Sequence, residues 1–281
     1  FTGDTSTDFL DFFNERLDGR VMKEGTRKHY ATTLSALQEW GKMRSFASVT
    51  AEKISAFDSW LHSKGLGDAG VYNYHKTLRA ILSDAVLFDR ISVNPYSRLK
   101  FSRGERQTID YLTEEEFTKL RNVQLSSSML EHARDLFVFQ TYTALSYSDL
   151  CKFDIKSYRH ERGRYYKVDS KREKTGMKFV TVLLPPAVEI GEKYKWKLPI
   201  MCNGDYNRAL KLVAAAAGIS HSLHSHMARS TFATIAISHG ARIQNVAKML
   251  GHASVSMTLK RYGEILEHDV IEDFEKLGRE I

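Results

Sequence analysis

The sequence predicts a mainly α-helical protein with a small antiparallel β-sheet, divided into two domains. Apolar side chains recur at helical spacing along most of the chain, whereas residues 165–184 are rich in β-branched and aromatic residues. A polar stretch at 99–110, with few large apolar residues, separates two such regions. A length of 281 residues also suits two domains, because a single hydrophobic core stops growing near ~250–300 residues.

Four segments of the first hundred residues carry apolar stripes at helical spacing and show no strand pattern. We therefore expect a helical domain over residues 1–98, followed by a linker at 99–110. The predicted helices are Asp8–Leu17, Thr26–Trp40, Thr50–His62 and Asp68–Phe88.

The second domain, over residues 111–281, begins with a capping box in which Thr113 and Glu116 can satisfy each other's backbone donors. Tyr165–Val168 and Phe179–Leu184 flank a polar turn and predict a hairpin or a three-stranded sheet, which the two prolines at 185–186 end. The pattern predicts helices at 113–123, 127–141, 205–217, 226–238, 243–250 and 254–262, and an amphipathic tail helix from His268 that carries Val270, Ile271, Phe274 and Leu277.

Composition excludes several classes of protein. Apolar residues make up 42% and charged residues 27% of the chain, and 15 Phe, 13 Tyr and 3 Trp supply core-forming surface, which excludes a mainly disordered chain. No apolar run approaches the ~20 residues that a bilayer requires. The only two cysteines, Cys151 and Cys202, exclude a disulfide scaffold and favour a cytoplasmic location, and no signal segment opens the chain.

The charge balance points to a polyanionic partner. Lys and Arg number 41 against 34 acidic residues, a formal net charge of +7. Residues 152–178 alone hold 10 basic and 4 acidic side chains. A solvated surface is the ordinary explanation of such a run, so its position relative to other motifs decides its meaning.

Residues 223–265 combine residue types that carry chemistry. His226 and Arg229, three residues apart, share one face of a predicted helix. Gly251 ends the next helix immediately before His252, and Tyr262 follows ten residues later. Each residue alone has an ordinary structural explanation, such as a helix cap or a packed ring. The set as a whole, downstream of a basic hairpin, predicts a functional site.

This set resembles the tyrosine recombinases, the phage-integrase family. Residues 226–229 resemble the family's His-x-x-Arg box, residues 250–252 its Leu-Gly-His box, and Tyr262 its nucleophile. Lys174, in the predicted hairpin, resembles the lysine that the family carries on a β-turn. The resemblance covers about residues 111–266 and implies an α+β catalytic domain, whereas residues 1–98 resemble the family's helical core-binding domain more loosely.

One position departs from the family pattern. Residues 143–150 align with the family's Thr-Gly-Leu-Arg-x-Ser-Glu-Leu segment, with Ser146 in place of the first arginine and Asp149 in place of the glutamate. Serine cannot supply a charged bidentate contact to phosphate. Some integrases of conjugative transposons share this substitution, and the chain is most similar to that branch. Either a weaker donor suffices or another arginine replaces it, and the candidates are Arg172 and Arg134.

The resemblance implies a DNA strand transferase that needs no cofactor. Tyr262 would attack a phosphodiester and form a 3′-phosphotyrosyl link, which frees a 5′ hydroxyl and conserves the bond energy for rejoining. Arg229, His226 and His252 would stabilise charge on the phosphoryl oxygens, and Lys174 would protonate the departing 5′ oxygen. Loss of one such donor costs roughly 3–4 kcal/mol, which is why we expect a compensating arginine.

The implied partner is double-stranded DNA with specific core sites, bound by a multimer, a tetramer in this family, with accessory DNA-bending proteins. Because the chain begins with Phe1, we expect that an N-terminal arm-binding domain is missing. The tail helix would dock either on a neighbouring protomer or on its own domain. Cationic and polar helix faces in the first domain suit contacts with phosphates and bases, and the candidate residues are Arg27, Lys28, Tyr72, Asn73, Lys76 and Arg79.

Three alternative functions are each supported by some feature of the sequence. Residues 246–251 and 254–261 fit a helix-turn-helix, which would make the chain a non-catalytic DNA-binding regulator. His221, His224 and His226 crowd together as in a metal site, but no cysteine or carboxylate nearby completes a tetrahedral set. A type IB topoisomerase shares the chemistry, but the separate helical domain and apolar tail favour exchange by a multimer. We therefore expect the integrase of a mobile element, with integration, excision and inversion all open.

Overall fold

A computed structural model describes residues 8–104, 110–161, 165–267 and 278 of the chain. The chain divides into two compact units, with the boundary between residues 107 and 108. The predicted fold class is confirmed, because helices dominate both units and the second contains a three-stranded antiparallel sheet. Residues 105–109 of the predicted linker and the predicted tail helix from His268 lie outside the described residues. Within the described ranges, no helix combines the length and apolarity needed to cross a bilayer.

The first unit is built from four α-helices in its described part. Each begins within two residues of its predicted start, and two of the four have a side-chain cap at that position. The Asp8 carboxylate accepts a hydrogen bond from the Leu10 N–H at 2.7 Å, and the Thr50 hydroxyl accepts one from the Lys53 N–H at 3.2 Å. The helices are α1 (Phe9–Gly19), α2 (Glu24–Trp40), α3 (Ala51–Ser63) and α4 (Asp68–Leu87). Their apolar stripes meet in a core that includes Phe13, Leu37, Phe57 and Leu78.

The second unit surrounds one buried helix with other helices and the sheet. Its helices are α5 (Glu114–Asn122), α6 (Ser128–Thr143), α7 (Tyr147–Leu150), α8 (Pro185–Lys193), α9 (Asn203–Ala216), α10 (Met227–Ser238), α11 (Ile243–Leu250) and α12 (Val255–Glu267). Its strands are β1 (Arg159–Glu161), β2 (Tyr165–Lys171) and β3 (Lys178–Leu183), in the order β1-β2-β3. The capping box of Thr113 and Glu116 opens α5 as predicted. Residues 135–141 of α6 are all buried, so this helix is the centre of the unit.

Three elements differ from the sequence prediction. The short helix α7 was not predicted, and Pro185 opens α8 instead of only ending the sheet, because proline suits the first turn of a helix. Helix α12 continues to Glu267, five residues beyond the predicted end. The packing that matters for function is that β3 and α10 both contact α6 and α11, while α12 packs on α10 and α11. The hairpin turn is thereby held against the end of α11.

Candidate active site

Two buried arginines converge on the carbonyl groups at the ends of two helices. The Arg229 guanidinium donates to the Ala144 carbonyl at 2.6 Å and to the Leu250 carbonyl. The Arg172 guanidinium donates to the same Ala144 carbonyl at 3.2 Å and to the Met249 carbonyl. The last carbonyls of a helix lack intrahelical partners and carry partial negative charge, so they suit guanidinium groups.

The backbone at these helix ends explains why the carbonyls are available. Ala144 caps α6 in the left-handed conformation with φ of +53°, and Gly251 caps α11 with φ of +62°. Gly251 also provides space, because a Cβ there would lie 2.7 Å from Arg172 Nε and 3.1 Å from Phe179 Cβ. On its other face the Arg172 guanidinium lies 3.8 Å from the centroid of the Phe179 ring. The conformation of the chain at Gly251 thus makes room for the Arg172 side chain.

Asp149 connects Arg172 to Ser146. Its Oδ2 accepts from Arg172 Nη1 at 2.8 Å and from the Ser146 hydroxyl at 2.6 Å, and its Oδ1 accepts from the Glu173 N–H at 2.9 Å. Burial alone would raise the pKa of Asp149, but these hydrogen bonds and the Arg172 charge outweigh burial and lower it. The carboxylate is therefore charged at neutral pH, and it holds the arginine of the hairpin beside the position where the family pattern has its first arginine.

Arg134, the other candidate replacement, lies in a different cluster. Its Nε donates to the Asp135 carboxylate at 3.0 Å and its Nη1 to the Val123 carbonyl at 2.8 Å. Asp135 also accepts from Lys193 at 2.6 Å and from the Tyr194 hydroxyl at 2.8 Å. These contacts tie α6 to α8 and place Arg134 outside the group formed by Arg172 and Arg229.

The two histidines of the motif lie close to the arginines. His226 occupies the N-cap position of α10, and His252 follows the end of α11, with its Nδ1 2.7 Å from the Thr258 hydroxyl. The pKa of both rings is lowered to about 4. Desolvation is the largest cause, and the charges of Arg229 and Arg261 follow. His226 is an exposed residue, and the neighbouring cations lower its pKa in the same direction as the loss of solvation does. Both rings are therefore neutral at pH 7.

Arg229 itself is in an unusual electrostatic environment. It is 9% exposed, and its pKa is lowered to about 9, first by burial and then by the charge of Arg172. Asp149 and Tyr262 act in the opposite direction. The guanidinium is still protonated at neutral pH, but the site carries more positive charge than one carboxylate can balance.

Tyr262 and Lys174 occupy contrasting positions. Tyr262 lies on α12 and is only 2% exposed, in an apolar cluster that includes Ala144, Phe232 and Leu250. The carbonyls of two members of this cluster, Ala144 and Leu250, accept hydrogen bonds from the Arg229 guanidinium. Lys174 lies at the exposed tip of the turn between β2 and β3 and contributes to the lowered pKa of His226. The structure thus brings Tyr262, Arg229, His226, His252 and Lys174 into one region of the second unit.

Sequence reasoning missed Arg261 as a member of this group. Its charge lowers the pKa of His226, His252 and Arg229, and its Cζ lies 6.0 Å from the centroid of the Tyr262 ring. The sequence interpretation had placed this residue only on the recognition helix of a helix-turn-helix. The sequence shows that Arg261 directly precedes Tyr262. No sequence motif, however, distinguishes a cation at this position from an ordinary surface residue.

The candidate DNA-binding residues of the first unit lie on α2 and α4. Arg27 uses its guanidinium to cap α1, donating to the Leu17 carbonyl at 2.9 Å and to the Arg20 carbonyl at 3.2 Å. Lys28 is exposed beside Glu24, with Nζ and Oε1 3.1 Å apart. Helix α4 carries one polar stripe whose residues recur at spacings of three and four. Tyr72 in this stripe is half-exposed, and the exposed members are Asn73, Lys76 and Arg79.

The three histidines considered as a metal site have separate surroundings. His221 Nε2 lies 3.2 Å from the Glu116 carboxylate, whereas the pKa of His226 is lowered by the charges of Arg229 and Arg261. His224 Nδ1 is buried with no hydrogen-bond partner among the described residues. Within that part of the chain, no three side chains of histidine, cysteine, aspartate or glutamate are arranged to hold a metal ion.

Two family models match the two units. The model of the phage integrase family matches residues 110–268, and that of the phage integrase SAM-like domain matches residues 8–103. The tyrosine recombinase XerC of Bacillus licheniformis is 23% identical over 280 residues, covering 89% of this chain and 90% of that protein. A tyrosine recombinase of Thermosipho africanus is 26% identical, covering 83% and 88%.

Solved structures show the same fold. The Tn1549 transposon integrase in complex with transposon right end DNA superposes with a TM-score of 0.71 at 18% identity, covering 91% of this chain and 95% of that one. A lambda integrase dimer bound to a COC′ core site gives a TM-score of 0.72 at 18% identity, covering 90% and 93%. A lambda integrase tetramer bound to a Holliday junction gives 0.73 at 19% identity, covering 92% and 78%.

Proposed function

The chain belongs to the phage integrase family and is a tyrosine-type site-specific recombinase, and from this premise we propose which of its residues cut and rejoin DNA. Tyr262 is the nucleophile, and Arg229, Arg172, His226 and His252 surround the phosphate under attack. Lys174 is the acid that protonates the departing oxygen. The DNA-bound relatives support a mobile element as the source of the substrate, since one of them is a transposon integrase in complex with a transposon end.

One observation carries this assignment more than any other. Arg172 and Arg229 are 5% and 9% exposed and share one carbonyl, and among the described residues only Arg172 pairs with a carboxylate, that of Asp149. Buried charge without a counterion costs stability, so such a surplus is expected where an anion binds. A phosphodiester, which gains charge on its non-bridging oxygens as it is attacked, meets this requirement.

The reaction balances without a further reactant. The phenolic oxygen of Tyr262 forms a bond to phosphorus, the bond from phosphorus to the 5′ oxygen breaks, and that oxygen takes a proton from Lys174. The phenolic proton passes to His226 or His252, which are neutral in the free protein and become stronger bases when the negative charge of the bound phosphate raises their pKa from about 4. A 5′ hydroxyl of a partner strand then attacks the 3′-phosphotyrosyl link and reverses these steps.

Arg172 takes the role of the arginine that Ser146 replaces. It reaches the site from the hairpin rather than from α7, and the Asp149 carboxylate sets its orientation. Its Nε is buried without a hydrogen-bond partner in the described part of the chain, so the hydrogen-bonding capacity of this guanidinium is not fully used by the protein. Ser146 keeps a structural role, because it caps α7 and donates to Asp149.

The burial of Tyr262 implies a change before cleavage. At 2% exposure the side chain offers almost no surface to a duplex, although α12 also carries Thr258, which contacts His252. In the proposed mechanism, α12 shifts when DNA binds and brings the phenolic oxygen to the phosphate. The resting arrangement keeps the nucleophile away from DNA that is not correctly bound.

Binding of core sites uses the first unit as well. The polar stripe of Tyr72, Asn73, Lys76 and Arg79 on α4 supplies hydrogen-bonding and cationic groups for bases and phosphates. Lys28 adds a phosphate contact, whereas Arg27 acts mainly through the α1 end that it caps. A tetramer on two core sites is the proposed active assembly, in line with the lambda integrase tetramer on a Holliday junction.

The test detects the covalent adduct between the protein and DNA. Because the target sequence is unknown, the purified protein first selects duplexes that it binds from a pool with a randomised centre. A nick beside the cleaved position lets the short 5′-hydroxyl strand diffuse away, which traps the covalent adduct on a denaturing gel. We expect wild-type protein and Tyr165→Phe, a control at an exposed tyrosine of β2, to form the adduct. Tyr262→Phe binds the same DNA and forms none. Binding without any adduct from wild-type protein would instead support the non-catalytic regulator.

A further inference from the structure

Arg261 lies at the edge of the face that α12 buries. On this helix Thr258 is fully buried and Tyr262 is 2% exposed, whereas Arg261 is half-buried. Residues three and four positions apart share a helix face, so Arg261 and Tyr262 flank Thr258 on opposite sides. The Thr258 hydroxyl is the group that meets His252 Nδ1 at 2.7 Å. Arg261 therefore emerges beside a residue that contacts the proposed active site.

The guanidinium of Arg261 is enclosed but poorly paired. Its Nε is buried and has no hydrogen-bond partner among the described residues, and none of the carboxylates whose side chains the structure describes forms an ion pair with it. An enclosed N–H donor without an acceptor is unfavourable unless a ligand supplies one. Arg172, the arginine proposed above to contact phosphate, has the same unpaired Nε.

The electrostatic surroundings agree with this position. The Arg261 charge contributes more than that of Lys174 to lowering the pKa of His226, and more than that of Arg172 to lowering the pKa of His252. It also lowers the pKa of Arg229. Arg261 is thus a member of the cationic group and not a distant surface charge.

We propose that Arg261 is a further catalytic residue, whose guanidinium donates to a non-bridging oxygen of the phosphodiester that Tyr262 attacks. This inference rests on the proposed function, because it requires Tyr262 to form a bond to phosphorus. The nucleophile and this cation are neighbours on one helix, so a movement of α12 that presents the phenolic oxygen also delivers positive charge to the same phosphate. The charge stabilises the pentavalent transition state as the P–O5′ bond breaks.

The first experiment compares three variants of α12 on the nicked duplex. Arg261→Gln is expected to slow formation of the covalent adduct by about 10²-fold, the usual effect of removing one preorganised donor. Arg261→Lys, which keeps the charge but lacks the planar fork, is expected to fall between this variant and wild type. Lys260→Gln is the matched control, since it removes the same charge from an exposed neighbour and should change the rate less than about threefold.

The second experiment separates a phosphate contact from a structural role. The duplex carries a methylphosphonate, which has one neutral methyl in place of a charged oxygen, at the mapped cleavage position. If Arg261 neutralises that oxygen, the rate ratio of wild type to Arg261→Gln contracts to within about threefold on this substrate. If Arg261 only positions α12 or contacts a flanking phosphate, the ratio stays near its value on natural DNA, and the inference is wrong.

The outcomes also distinguish this inference from the function on which it rests. No adduct from wild-type protein on any nicked duplex would overturn both. A wild-type adduct that Tyr262→Phe abolishes, together with an unchanged rate for Arg261→Gln, would leave the recombinase intact and overturn only the role of Arg261. Circular dichroism melting of each variant shows whether it is folded, and a folded Arg261→Lys keeps the test valid if Arg261→Gln is unstable.

Discussion

Each unit of the protein contains two arginines near one carboxylate, and the two pairs differ in their access to water. In the first unit, Arg16 and Arg20 donate to Asp84 at 2.9 and 2.6 Å, and their side chains keep 26% and 29% of their surface exposed. In the second unit, Arg172 and Arg229 are 5% and 9% exposed and meet mainly backbone carbonyls.

The difference shows how to recognise an anion site in a protein of this kind. Around Asp84 the surplus positive charge is solvated, and Phe88 and Tyr30 cover the remaining faces of the guanidinium groups. Around Asp149 the surplus is buried, and neutral carbonyl groups cannot cancel it. A cluster that serves only stability has no need of such a surplus, whereas a cluster that binds phosphate does.

The largest effect is expected from conservative replacement of the arginines themselves. Arg172→Lys keeps one charge but loses the fork that spans Asp149 and two carbonyls, and should slow adduct formation by about 10²-fold. Arg16→Lys and Arg134→Lys should leave the rate per folded molecule unchanged, because these side chains serve structural ion pairs. Single-turnover cleavage of the nicked duplex, normalised to folded protein, measures all three.

Arg134→Lys tests whether Arg172 is the residue that replaces the missing arginine. If it slows cleavage as much as Arg172→Lys does, while both variants still bind DNA, the replacement for the missing arginine has been misassigned. Equal effects of Arg16→Lys and Arg172→Lys would show that burial of surplus charge does not distinguish the two units.

A smaller effect is expected at the glycines that end α2 and α11. Gly41 and Gly251 both have positive φ, at +70° and +62°, so alanine at either costs about 1 kcal/mol of unfolding free energy. At Gly41 the nearest atom to a new Cβ is 3.8 Å away, whereas at Gly251 Arg172 Nε lies at 2.7 Å. Gly251→Ala should therefore also displace Arg172 and slow cleavage by about 10-fold or more, and Gly41→Ala should not.

Chemical denaturation and the cleavage assay together measure this pair. We expect both variants to lose a similar amount of unfolding free energy. Only Gly251→Ala should also cleave DNA more slowly. A Gly251→Ala protein that cleaves DNA at the wild-type rate would contradict the proposed contact between this glycine and the phosphate-binding arginine.

The smallest effect concerns histidine protonation. The pKa of His226 and of His252 is about 4 instead of 6.5, so the unfolded chain takes up protons from pH 6.5 downwards that the folded chain refuses. The unfolding free energy should therefore fall between pH 6.5 and 4 and show no contribution from these rings above pH 6.5. Binding of duplex DNA supplies negative charge near Arg229 and should raise both pKa values.

His75 of the first unit provides the contrast in the same titration. Its pKa is also lowered, mainly by burial, but it lies between the Asp58 carboxylate at 2.9 Å and the Tyr96 hydroxyl at 2.7 Å. Its pKa is linked to the proposed DNA-binding stripe only through the charge of Arg79, a smaller cause than burial and Asp58, so DNA should shift it less than it shifts the pKa of His226 and His252. Ring NMR signals, assigned with His226→Asn and His252→Asn, follow each group, and a His252 pKa near 6.5 in the free protein would contradict the cationic surroundings described here.

Much of this protein was determined by local sequence alone. Apolar spacing and the capping box that begins at Thr113 predicted most helices to within a few residues, because capping and amphipathic burial depend on near neighbours. The ordered motifs around His226, Gly251 and Tyr262 predicted the family, which the family model confirms. The choice of Tyr262 as nucleophile stays a prediction until an adduct is observed.

Only the tertiary structure decided how the site is assembled around its missing arginine. Arg172 and Arg134 were equal candidates in sequence, and they separate because β3 packs on α11 and brings Arg172 to Asp149, whereas α6 directs Arg134 toward α8. The same packing buries Tyr262 and places Arg261 among the cations. Such juxtapositions join residues far apart in the chain, so they follow from the way helices and strands pack and not from the spacing of any one segment.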